Sequence, residues 1–387
     1  MAGRTLVVSN DFPPRAGGIQ AFVQGLVSRQ PPESITVYAP AWSGAEQFDA
    51  EQPFEVVRHP TSLMVPEPFV IRRATSLLRS RGATRVLFGA AAPLGLMAGQ
   101  LRKAGAESIV ALTHGHEAGW AALPGARSAL RRIGDGVDTV TYLGEYTRSR
   151  IAGALSPAAA ARMRRLVPGV DHTLFNPGNA DAGLAVRQRY GLADRPVVVC
   201  VSRLMPRKGQ DTLIEALPLI HRTVPDAALL IVGGGPHKGK LTTMVAELGL
   251  QRDVVLTGTV PWAELPAHYA AGDVFAMPCR TRNRGLDVEG LGIVYLEASA
   301  TGLPVVAGDS GGAPDAVLPG QTGYVVAGGD PAAAAERVTG LLANPELARE
   351  MGRAGRAWIE EAWGWDLISA RLSALLDGVD PDVVARP

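Results

Sequence analysis

Three cations follow an apolar segment near the middle of the chain. The strand-like run Val197–Ser202 leads directly into Arg203, Arg207 and Lys208, which all lie within six residues. At the carboxyl end of a strand such cations are well placed to bind phosphate, arginine as a planar fork of donors and lysine as a point charge. The spacing predicts a phosphate-binding loop, with a plain solvated loop as the alternative.

Two glutamates eight residues apart, Glu289 and Glu297, are candidates for contacts with one long ligand. Glu289 lies in the glycine-rich entry to a predicted helix, and Glu297 lies inside that helix. If both were helical, their axial separation would be about 12 Å, whereas the carboxylates of a glycoside hydrolase are about 5 to 9.5 Å apart. The spacing disfavours a hydrolytic pair and fits an anion at the helix amino terminus between them. An exposed surface glutamate at position 297 is the alternative.

The first half of the chain holds two further candidate segments. Gly17 and Gly18 stand between a strand-like run and a helix, where glycine lets the backbone approach a ligand and offers N–H groups to an anion. An ordinary strand-to-helix turn would look the same. His114 and His116 follow another apolar run. A His-x-His pair can bind metal, but no third ligand stands at a recognisable spacing, so we predict a substrate contact and no metal.

The scaffold for these residues alternates short apolar runs with helical patterns from end to end. The strand candidates are Thr5–Asn10, Ile35–Ala39, Val56–His59, Arg85–Gly89, Ser108–Thr113, Thr139–Tyr142, Val197–Ser202, Leu229–Val232, Val254–Thr257, Val274–Met277, Pro304–Ala307 and Tyr324–Val326. The helix candidates include Gln20–Arg29, Leu94–Lys103, Thr212–Arg222, Trp262–Ala271 and Leu291–Thr301. This alternation predicts an α/β protein with parallel sheets and crossover helices.

The alternating series restarts after the Pro/Gly joint at Val167–Asp171. We therefore predict two doubly wound domains, residues 1–168 and a second beginning at residue 169. Ligands of such sheets bind outside the carboxyl ends of the strands, so we expect the site in a cleft where the two domains face each other.

Composition excludes several classes of protein. The 387 residues are 47% hydrophobic and 19% charged, which is too apolar for a disordered chain. Two cysteines cannot form a disulfide scaffold, and we expect both to be buried thiols of a reducing compartment. The longest apolar run, Val86–Gly99, is shorter than the roughly 18 residues that span a bilayer. No secretory signal is recognisable, so we expect a cytoplasmic protein.

Charge is divided unevenly along the chain. Residues 1–168 carry 19 Lys and Arg against 12 Asp and Glu, and the remainder carry 19 against 25. A basic half suggests an anionic partner such as nucleic acid, phosphate or a membrane surface. The pattern of Pro68–Arg81 gives a helix with Val70 and Leu77 on one face and Arg72 and Arg79 on the other. Such a helix can lie on an anionic membrane, or pack on the sheet as an ordinary surface helix.

Several alternatives lack their signatures. A nicotinamide site needs Gly-x-Gly-x-x-Gly and an acidic residue after the second strand, but the second strand here is followed by Pro40, and the run at Gly233 lacks the third glycine. Nucleic-acid binding is disfavoured because the basic half has no interleaved aromatic residues and no recognisable module. The Asp-x-Asp at Asp380 and Asp382 lies in a tail that we expect to be disordered.

In the order in which they occur along the chain, these segments resemble the retaining glycosyltransferase family 4. Members of that family have two Rossmann-like domains in the GT-B fold. The resemblance covers nearly the whole chain. The matching elements are Gly17-Gly18, His114, Arg203 with Lys208, Gly233–Pro236, Gly258-Thr259-Val260 and the segment from Glu289 to Glu297. Trp363-Gly364-Trp365-Asp366 and the helix after it are similar to the family's closing helix. This implies that the second domain ends at residue 362 and that residues 363–387 cross back to the first domain.

One subgroup is more similar still, the GDP-mannose-dependent enzymes that add the second mannose to phosphatidylinositol monomannoside. The segments that carry this likeness are Asn10–Pro14 with Gly17–Gln20, Thr113–Glu117, and Thr281-Arg282 with Gly285–Gly292. Several of these segments recur in transferases with other donors. A family 4 enzyme with another nucleotide sugar or a soluble acceptor, and a nucleotide-sugar epimerase on the same fold, therefore stay open.

The resemblance implies roles for individual residues. Arg203 and Lys208 would neutralise the leaving diphosphate without a metal, Glu289 would bind the transferred sugar, and Glu297 the ribose hydroxyls. His114 would contact the sugar near the reacting carbon. The implied donor contacts are Gly17, Gly18, Arg203, Arg207, Lys208, Gly234, Gly258, Thr259, Val260, Glu289, Gly290, Leu291, Gly292, Ile293, Val294 and Glu297.

The resemblance also implies a mechanism and an acceptor. The acceptor would attack from the front face, and the leaving phosphate would take its proton, so that no protein nucleophile is needed. Gln20 and His116 would meet the acceptor, an anionic phosphoinositide lipid. This places the enzyme peripherally on the inner face of the plasma membrane, with no cofactor beyond the donor and no nucleic-acid partner.

Overall fold

The computed structural model describes residues 3–384 as two compact α/β units. One unit takes in the chain up to Gly169 together with the segment from Trp365 onward, and the other is Val170–Gly364. With the carboxyl-terminal segment included, the first unit carries 21 Lys and Arg against 16 Asp and Glu. Its positive charge is therefore smaller than residues 1–168 alone suggest.

The first unit is built on a seven-stranded sheet in which every neighbouring pair of strands is parallel. Its strands are β1 (Arg4–Val8), β2 (Ile35–Pro40), β3 (Glu55–His59), β4 (Ala83–Phe88), β5 (Ser108–Ala111), β6 (Thr139–Tyr142) and β7 (Arg164–Arg165), in the order β3-β2-β1-β4-β5-β6-β7. Its helices are α1 (Gly18–Val27), α2 (Ala45–Ala50), α3 (Pro68–Ser80), α4 (Ala98–Ala104), α5 (Glu117–Ala122), α6 (Pro124–Gly136), α7 (Glu145–Ala152), α8 (Pro157–Ala161), and the carboxyl-terminal pair Trp365–Leu376 and Pro381–Val384.

The second unit holds a six-stranded parallel sheet. Its strands are β8 (Val197–Val201), β9 (Ala228–Val232), β10 (Val254–Gly258), β11 (Val274–Met277), β12 (Val305–Gly308) and β13 (Gly323–Val326), in the order β10-β9-β8-β11-β12-β13. Its helices are α9 (Ala180–Arg189), α10 (Gln210–Ile220), α11 (Lys238–Glu247), α12 (Leu265–Ala270), α13 (Ile293–Ala300), α14 (Pro331–Leu342) and α15 (Pro345–Ala362).

The strands form because they are short, nearly continuous apolar runs that helices cover on both faces. All five residues of β8 and all five of β9 are buried. In each sheet the direction of winding reverses at one point, between β1 and β4 in the first unit and between β8 and β11 in the second. Segments that leave the carboxyl ends of these strands meet at the reversal, which is where doubly wound sheets bind ligands.

The predicted strands agree with the structure to within two residues at either end, and β7 is an addition. The two cysteines are buried and free, as expected. The expectation of a disordered tail was wrong for Asp380, which accepts a bond of 2.6 Å from Arg164, and for Asp382, which pairs with Arg371. Within the described residues, no helix has both the length and the hydropathy needed to cross a membrane.

Candidate active site

The cation loop of the second unit leaves β8 at the reversal point of the sheet. Arg203 is exposed, and Arg207 and Lys208 end a short 3₁₀ turn over Pro206–Lys208. The turn closes on Gly209, whose φ of +76° favours glycine, and a Cβ there would lie 2.1 Å from the carbonyl oxygen of Pro278. The loop is therefore packed tightly against the chain that leaves β11.

That close packing brings the cations to the predicted sugar-binding glutamate. Lys208 Nζ lies 2.6 Å from Glu289 Oε2, and Arg207 Nε lies 3.8 Å from the same oxygen. Arg207 also reaches Asp287, 3.4 Å away. Residues 80 positions apart in sequence thus form one cluster of cations and carboxylates, which matches a site for a charged and hydroxyl-rich ligand.

The backbone of Glu289 is fixed by the loop that follows β12. Its N–H donates to Ser310 Oγ over 3.2 Å, and its carbonyl accepts from Gly312 N over 2.9 Å. A Cβ on Gly311 would lie 2.0 Å from the Glu289 carbonyl oxygen. Glycine at 311 is required both by this contact and by its φ of +57°. The position of Glu289 is therefore fixed by contacts between its main chain and the loop after β12.

Helix α13 begins four residues after this glutamate. Gly292 precedes the helix with a φ of +79°, and no side chain caps the first turn. Uncapped N–H groups and the helix dipole favour an anion at this end. The predicted backbone contacts Gly290, Leu291, Gly292, Ile293 and Val294 form this turn and its approach.

Glu297 is inside α13 and is not the surface glutamate of the alternative hypothesis. It is 6% exposed, and its Oε2 accepts a hydrogen bond of 2.5 Å from Tyr269 Oη. Burial raises the pKa of Glu297 from its ordinary 4.5 to about 7, against the opposing effect of the Tyr269 hydroxyl. Sequence reasoning missed Tyr269, because an aromatic residue in an apolar helical pattern gives no sign of a polar partner.

The glycine run after β9 is shaped by contact with its neighbours. A Cβ on Gly234 would lie 2.4 Å from Thr259 Oγ1, and one on Gly233 would lie 2.1 Å from the carbonyl oxygen of Ser202. Gly233 N donates to the carbonyl of Gly258 over 2.9 Å. The structure thus brings Gly234, Gly258 and Thr259 together, and Val260 follows them in the chain.

A second buried cluster in this unit escaped the sequence analysis. Arg280 donates from two nitrogens to the two carboxylate oxygens of Asp211, over 2.9 and 2.6 Å, and also to Thr212. His237 Nε2 lies 3.7 Å from Asp211. Burial opposes ionisation of Asp211, but the bonds from Arg280 outweigh it and hold its pKa below the usual value. The cluster joins the segments that follow β8, β9 and β11, and Arg280 N donates to the carbonyl of Arg207 in the cation loop over 2.8 Å.

In the first unit, Gly17 is the residue before α1 and Gly18 is the first residue of that helix, and both are exposed. No atom lies within 4 Å of where a Cβ on Gly18 would be, whereas one on Gly17 would lie 2.1 Å from Gln20 Oε1. Gln20 is 5% exposed and donates to Asp11 Oδ1 over 2.8 Å. The side chain of Gln20 therefore links the start of α1 to Asp11. Nothing in the sequence indicated this contact.

His114 leaves β5 and is fixed at both its backbone and its ring. Its N–H donates to Glu117 Oε2 over 2.9 Å, and its Nε2 lies 2.5 Å from the carbonyl oxygen of Gly89. Because a carbonyl only accepts, Nε2 carries the proton. The edge of Phe22 meets the ring at a centroid distance of 5.7 Å. Burial lowers the pKa of His114, which keeps the ring neutral at pH 7.

His116 stacks beside His114 with centroids 6.3 Å apart, and its Nε2 lies 3.3 Å from the buried carboxylate of Glu117. Two histidines and one glutamate thus lie close together, yet the geometry is that of a hydrogen-bonded turn. Among the side chains of residues 3–384, no group of three or more His, Cys, Asp or Glu is arranged to hold a metal ion.

Comparison of the sequence with known proteins assigns the chain to a family. The family of group 1 glycosyl transferases matches residues 185–358, which include the cation loop and α13. A GDP-mannose-dependent alpha-(1-6)-phosphatidylinositol monomannoside mannosyltransferase of Mycolicibacterium smegmatis is 56% identical over 96% of this chain and 98% of its own length. The chain belongs to the group 1 glycosyltransferases. The transferase of the same name from Mycobacterium tuberculosis is 52% identical over 97% of this chain and 99% of its own length.

Solved glycosyltransferase structures agree with this membership at the level of the fold. HepE from Anabaena superimposes with a TM-score of 0.80 at 19% identity, covering 97% of this chain and 100% of that one. Sucrose-phosphate synthase from Thermosynechococcus elongatus gives a TM-score of 0.76 at 21% identity, covering 97% and 98%. The predicted GT-B fold and the predicted enzyme class, a hexosyltransferase, are confirmed.

Proposed function

We propose that this glycosyltransferase moves mannose from GDP-mannose to a phosphatidylinositol monomannoside and makes an α-(1-6) linkage. The observation that carries the proposal is 56% identity, over nearly all of both chains, to an enzyme of that name. The cluster of Lys208, Arg207 and Glu289 supports it, since it offers cations for a diphosphate beside a carboxylate for sugar hydroxyls.

The second unit is proposed to bind the donor. Arg203, Lys208 and the uncapped start of α13 take the diphosphate, and Arg207 adds charge beside them. Glu289 accepts hydrogen bonds from the mannose hydroxyls, and Glu297 from those of the ribose. Backbone groups at Gly234 and from Gly258 to Val260 take the base. Lys208 Nζ also pairs with Glu289 Oε2 over 2.6 Å, so in the proposed complex one ammonium lies beside both the diphosphate and the carboxylate that takes the sugar.

The reaction is proposed to be a front-face substitution that retains configuration. The bond between the anomeric carbon and the β-phosphate oxygen breaks, and the acceptor oxygen bonds to the same face of that carbon. The acceptor proton passes to the departing phosphate oxygen. Arg203 and Lys208 stabilise the charge that develops on GDP, which is where preorganised cations lower a barrier most. Neutral His114 then serves as a fixed polar contact to the sugar, and no step requires a metal.

The first unit is proposed to bind the lipid acceptor, with Gln20 and His116 near its headgroup and Gly17 and Gly18 as backbone contacts to the donor. Helix α3 buries Val70, Ala74, Leu77 and Leu78 and exposes Arg72, Arg73 and Arg79. The predicted apolar face thus packs inward, and the exposed arginines are available to anionic lipid headgroups. We propose that the enzyme acts at the inner face of the plasma membrane as a peripheral protein, without a nucleic-acid partner.

A transfer assay with controls tests the proposal. The purified protein is incubated with phosphatidylinositol monomannoside and either GDP-mannose or UDP-glucose, and the lipids are read by mass spectrometry. A lipid heavier by one hexose with GDP-mannose and unchanged with UDP-glucose supports the proposal. Transfer from UDP-glucose alone would favour another donor. Conversion of free GDP-mannose without acceptor would favour an epimerase.

A further inference from the structure

Tyr269 contacts the proposed donor site of the second unit through Glu297, and none of the roles described above is assigned to it. Its hydroxyl donates to Glu297 Oε2 over 2.5 Å, and its side chain is fully buried. The two residues come from different elements, Tyr269 from α12 and Glu297 from α13, and are 28 positions apart. A fully buried tyrosine hydroxyl aimed at a buried carboxylate is a specific contact.

The ring of Tyr269 cannot easily move away from this carboxylate. It stacks on Phe275 with centroids 5.8 Å apart and an interplanar angle of 29°, and it meets Phe175 edge-on at 5.5 Å. Burial and the neighbouring Glu297 raise the pKa of Tyr269 well above its ordinary value, so the hydroxyl stays a donor. Packed aromatic rings therefore hold a proton donor at a fixed point beside Oε2.

We propose that Tyr269 is a positioning residue that orients Glu297 for the ribose hydroxyls of the donor nucleotide. The inference rests on the proposed donor site. A carboxylate has about four lone-pair directions, and Tyr269 uses one of them on Oε2. With that oxygen anchored, rotation of the side chain is restricted and Oε1 is presented in one direction. A diol can then donate to a carboxylate that is already aligned, without the cost of ordering it on binding.

The proposal predicts a ribose-specific loss of affinity when the hydroxyl of Tyr269 is removed. Ordering a mobile side chain on binding lowers affinity by roughly two- to tenfold, so Y269F should weaken GDP binding by about that factor. A nucleotide without ribose hydroxyls never uses Glu297, so 2′,3′-dideoxy-GDP should bind Y269F and the wild type nearly equally. A purely structural role of Tyr269 would weaken both nucleotides alike.

Tyr295 offers a matched control. It is also fully buried, and its hydroxyl donates to the Met277 carbonyl and to Cys279 Sγ instead of Glu297. Calorimetric titration of wild type, Y269F, Y295F and E297Q with GDP and dideoxy-GDP completes the set. Y295F should show the same ratio of the two affinities as the wild type.

The outcomes separate two claims, the positioning role of Tyr269 and the assignment of Glu297 to the ribose. A GDP loss in Y269F that vanishes with dideoxy-GDP, together with a similar pattern in E297Q, supports the proposal. If E297Q shows the ribose-specific loss and Y269F does not, the role of Tyr269 is overturned and the donor site stands. If E297Q binds both nucleotides as the wild type does, the assignment of Glu297 to the ribose falls, and the inference falls with it.

A second measurement on the wild type keeps the proposal testable if Y269F does not fold. Burial and Tyr269 are the two influences that set the pKa of Glu297 at about 7. Two other ionisable side chains lie near this pair of residues. Cys200 from β8 stays a thiol because burial raises its pKa to about 12. Arg356 from α15 donates to the carbonyl of Ala300, which ends α13. The ratio of GDP to dideoxy-GDP affinity should therefore fall as the pH drops below about 7. A ratio that stays constant from pH 5.5 to pH 8.5 would overturn the assignment of Glu297 to the ribose, and the role of Tyr269 with it.

Discussion

The substitution Glu297→Gln should stabilise the protein against unfolding at alkaline pH while impairing donor binding. Glu297 is 6% exposed, and burial raises its pKa from 4.5 to about 7. A carboxyl whose folded pKa is raised contributes stability below its unfolded pKa, and loses that contribution as the pH rises through the folded pKa. The wild type should therefore lose stability between about pH 4.5 and pH 7 from this group. A glutamine, which does not ionise, should not.

The size of the effect follows from the shift. An increase from 4.5 to about 7 corresponds to at most about 3 kcal/mol in the free energy of unfolding above pH 7. For a unit of about 200 residues this is a rise in Tm on the order of 10 °C at pH 8. The amide oxygen of a glutamine can still accept the hydrogen bond from Tyr269, so the substitution leaves no new unpaired hydroxyl.

Urea unfolding at several pH values between 5 and 8.5 measures this difference. The stability of E297Q relative to the wild type should be small at pH 5 and should grow until about pH 8. Glu247 on α11 is exposed and serves as a control, since E247Q should follow the wild type at every pH. If E297Q and the wild type change in parallel over this range, Glu297 is not a carboxylate held in a desolvated site, and the reasoning is refuted.

Three further outcomes are expected. Replacing Lys208 or Arg203 by alanine should each lower kcat by about 10²–10³-fold, because each stabilises the departing diphosphate. Transfer should continue in the presence of EDTA, because the cations replace a metal. Neutralising Arg72, Arg73 and Arg79 together should weaken binding to anionic vesicles, measured by sedimentation, and leave GDP affinity unchanged.

Controls make these outcomes specific. Lys103 is an exposed lysine on α4, and K103A should keep the full kcat; near-normal turnover in K208A would contradict its role. Activity that is lost with EDTA and restored by Mg²⁺ would show a metal requirement. Arg349 and Arg353 are exposed on α15 of the other unit, and their neutralisation should not change vesicle binding. If the α3 variant sediments with vesicles like the wild type, α3 is an ordinary packed helix.

The fold could be predicted because its strands are defined by local composition. Runs such as Val197–Val201 and Ala228–Val232 are apolar at every position, and helices separate them. In doubly wound sheets the loops after these strands meet at the carboxyl ends of the strands, where the strand order reverses. The proposed ligand contacts Arg203, Lys208 and Glu289 could therefore be assigned to one sheet edge from the sequence.

Contacts between distant segments could not be predicted in the same way. Tyr269 and Glu297 meet across two helices, and Asp211 meets Arg280 although 69 residues separate them. Such pairs depend on strand order and helix packing, which hydropathy patterns do not encode. The expectation of a disordered tail was wrong for the same reason, because Asp380 is held by Arg164, a residue 216 positions away.

The most direct test of the central claim is the structure of the transferred linkage. Product lipid made from GDP-mannose and phosphatidylinositol monomannoside would be purified, and the new mannose examined by NMR and permethylation analysis. The proposed retaining reaction predicts one added mannose in the α configuration through a 1→6 linkage. A β-linked mannose, or no transfer to this lipid under conditions where GDP binds, would contradict the account.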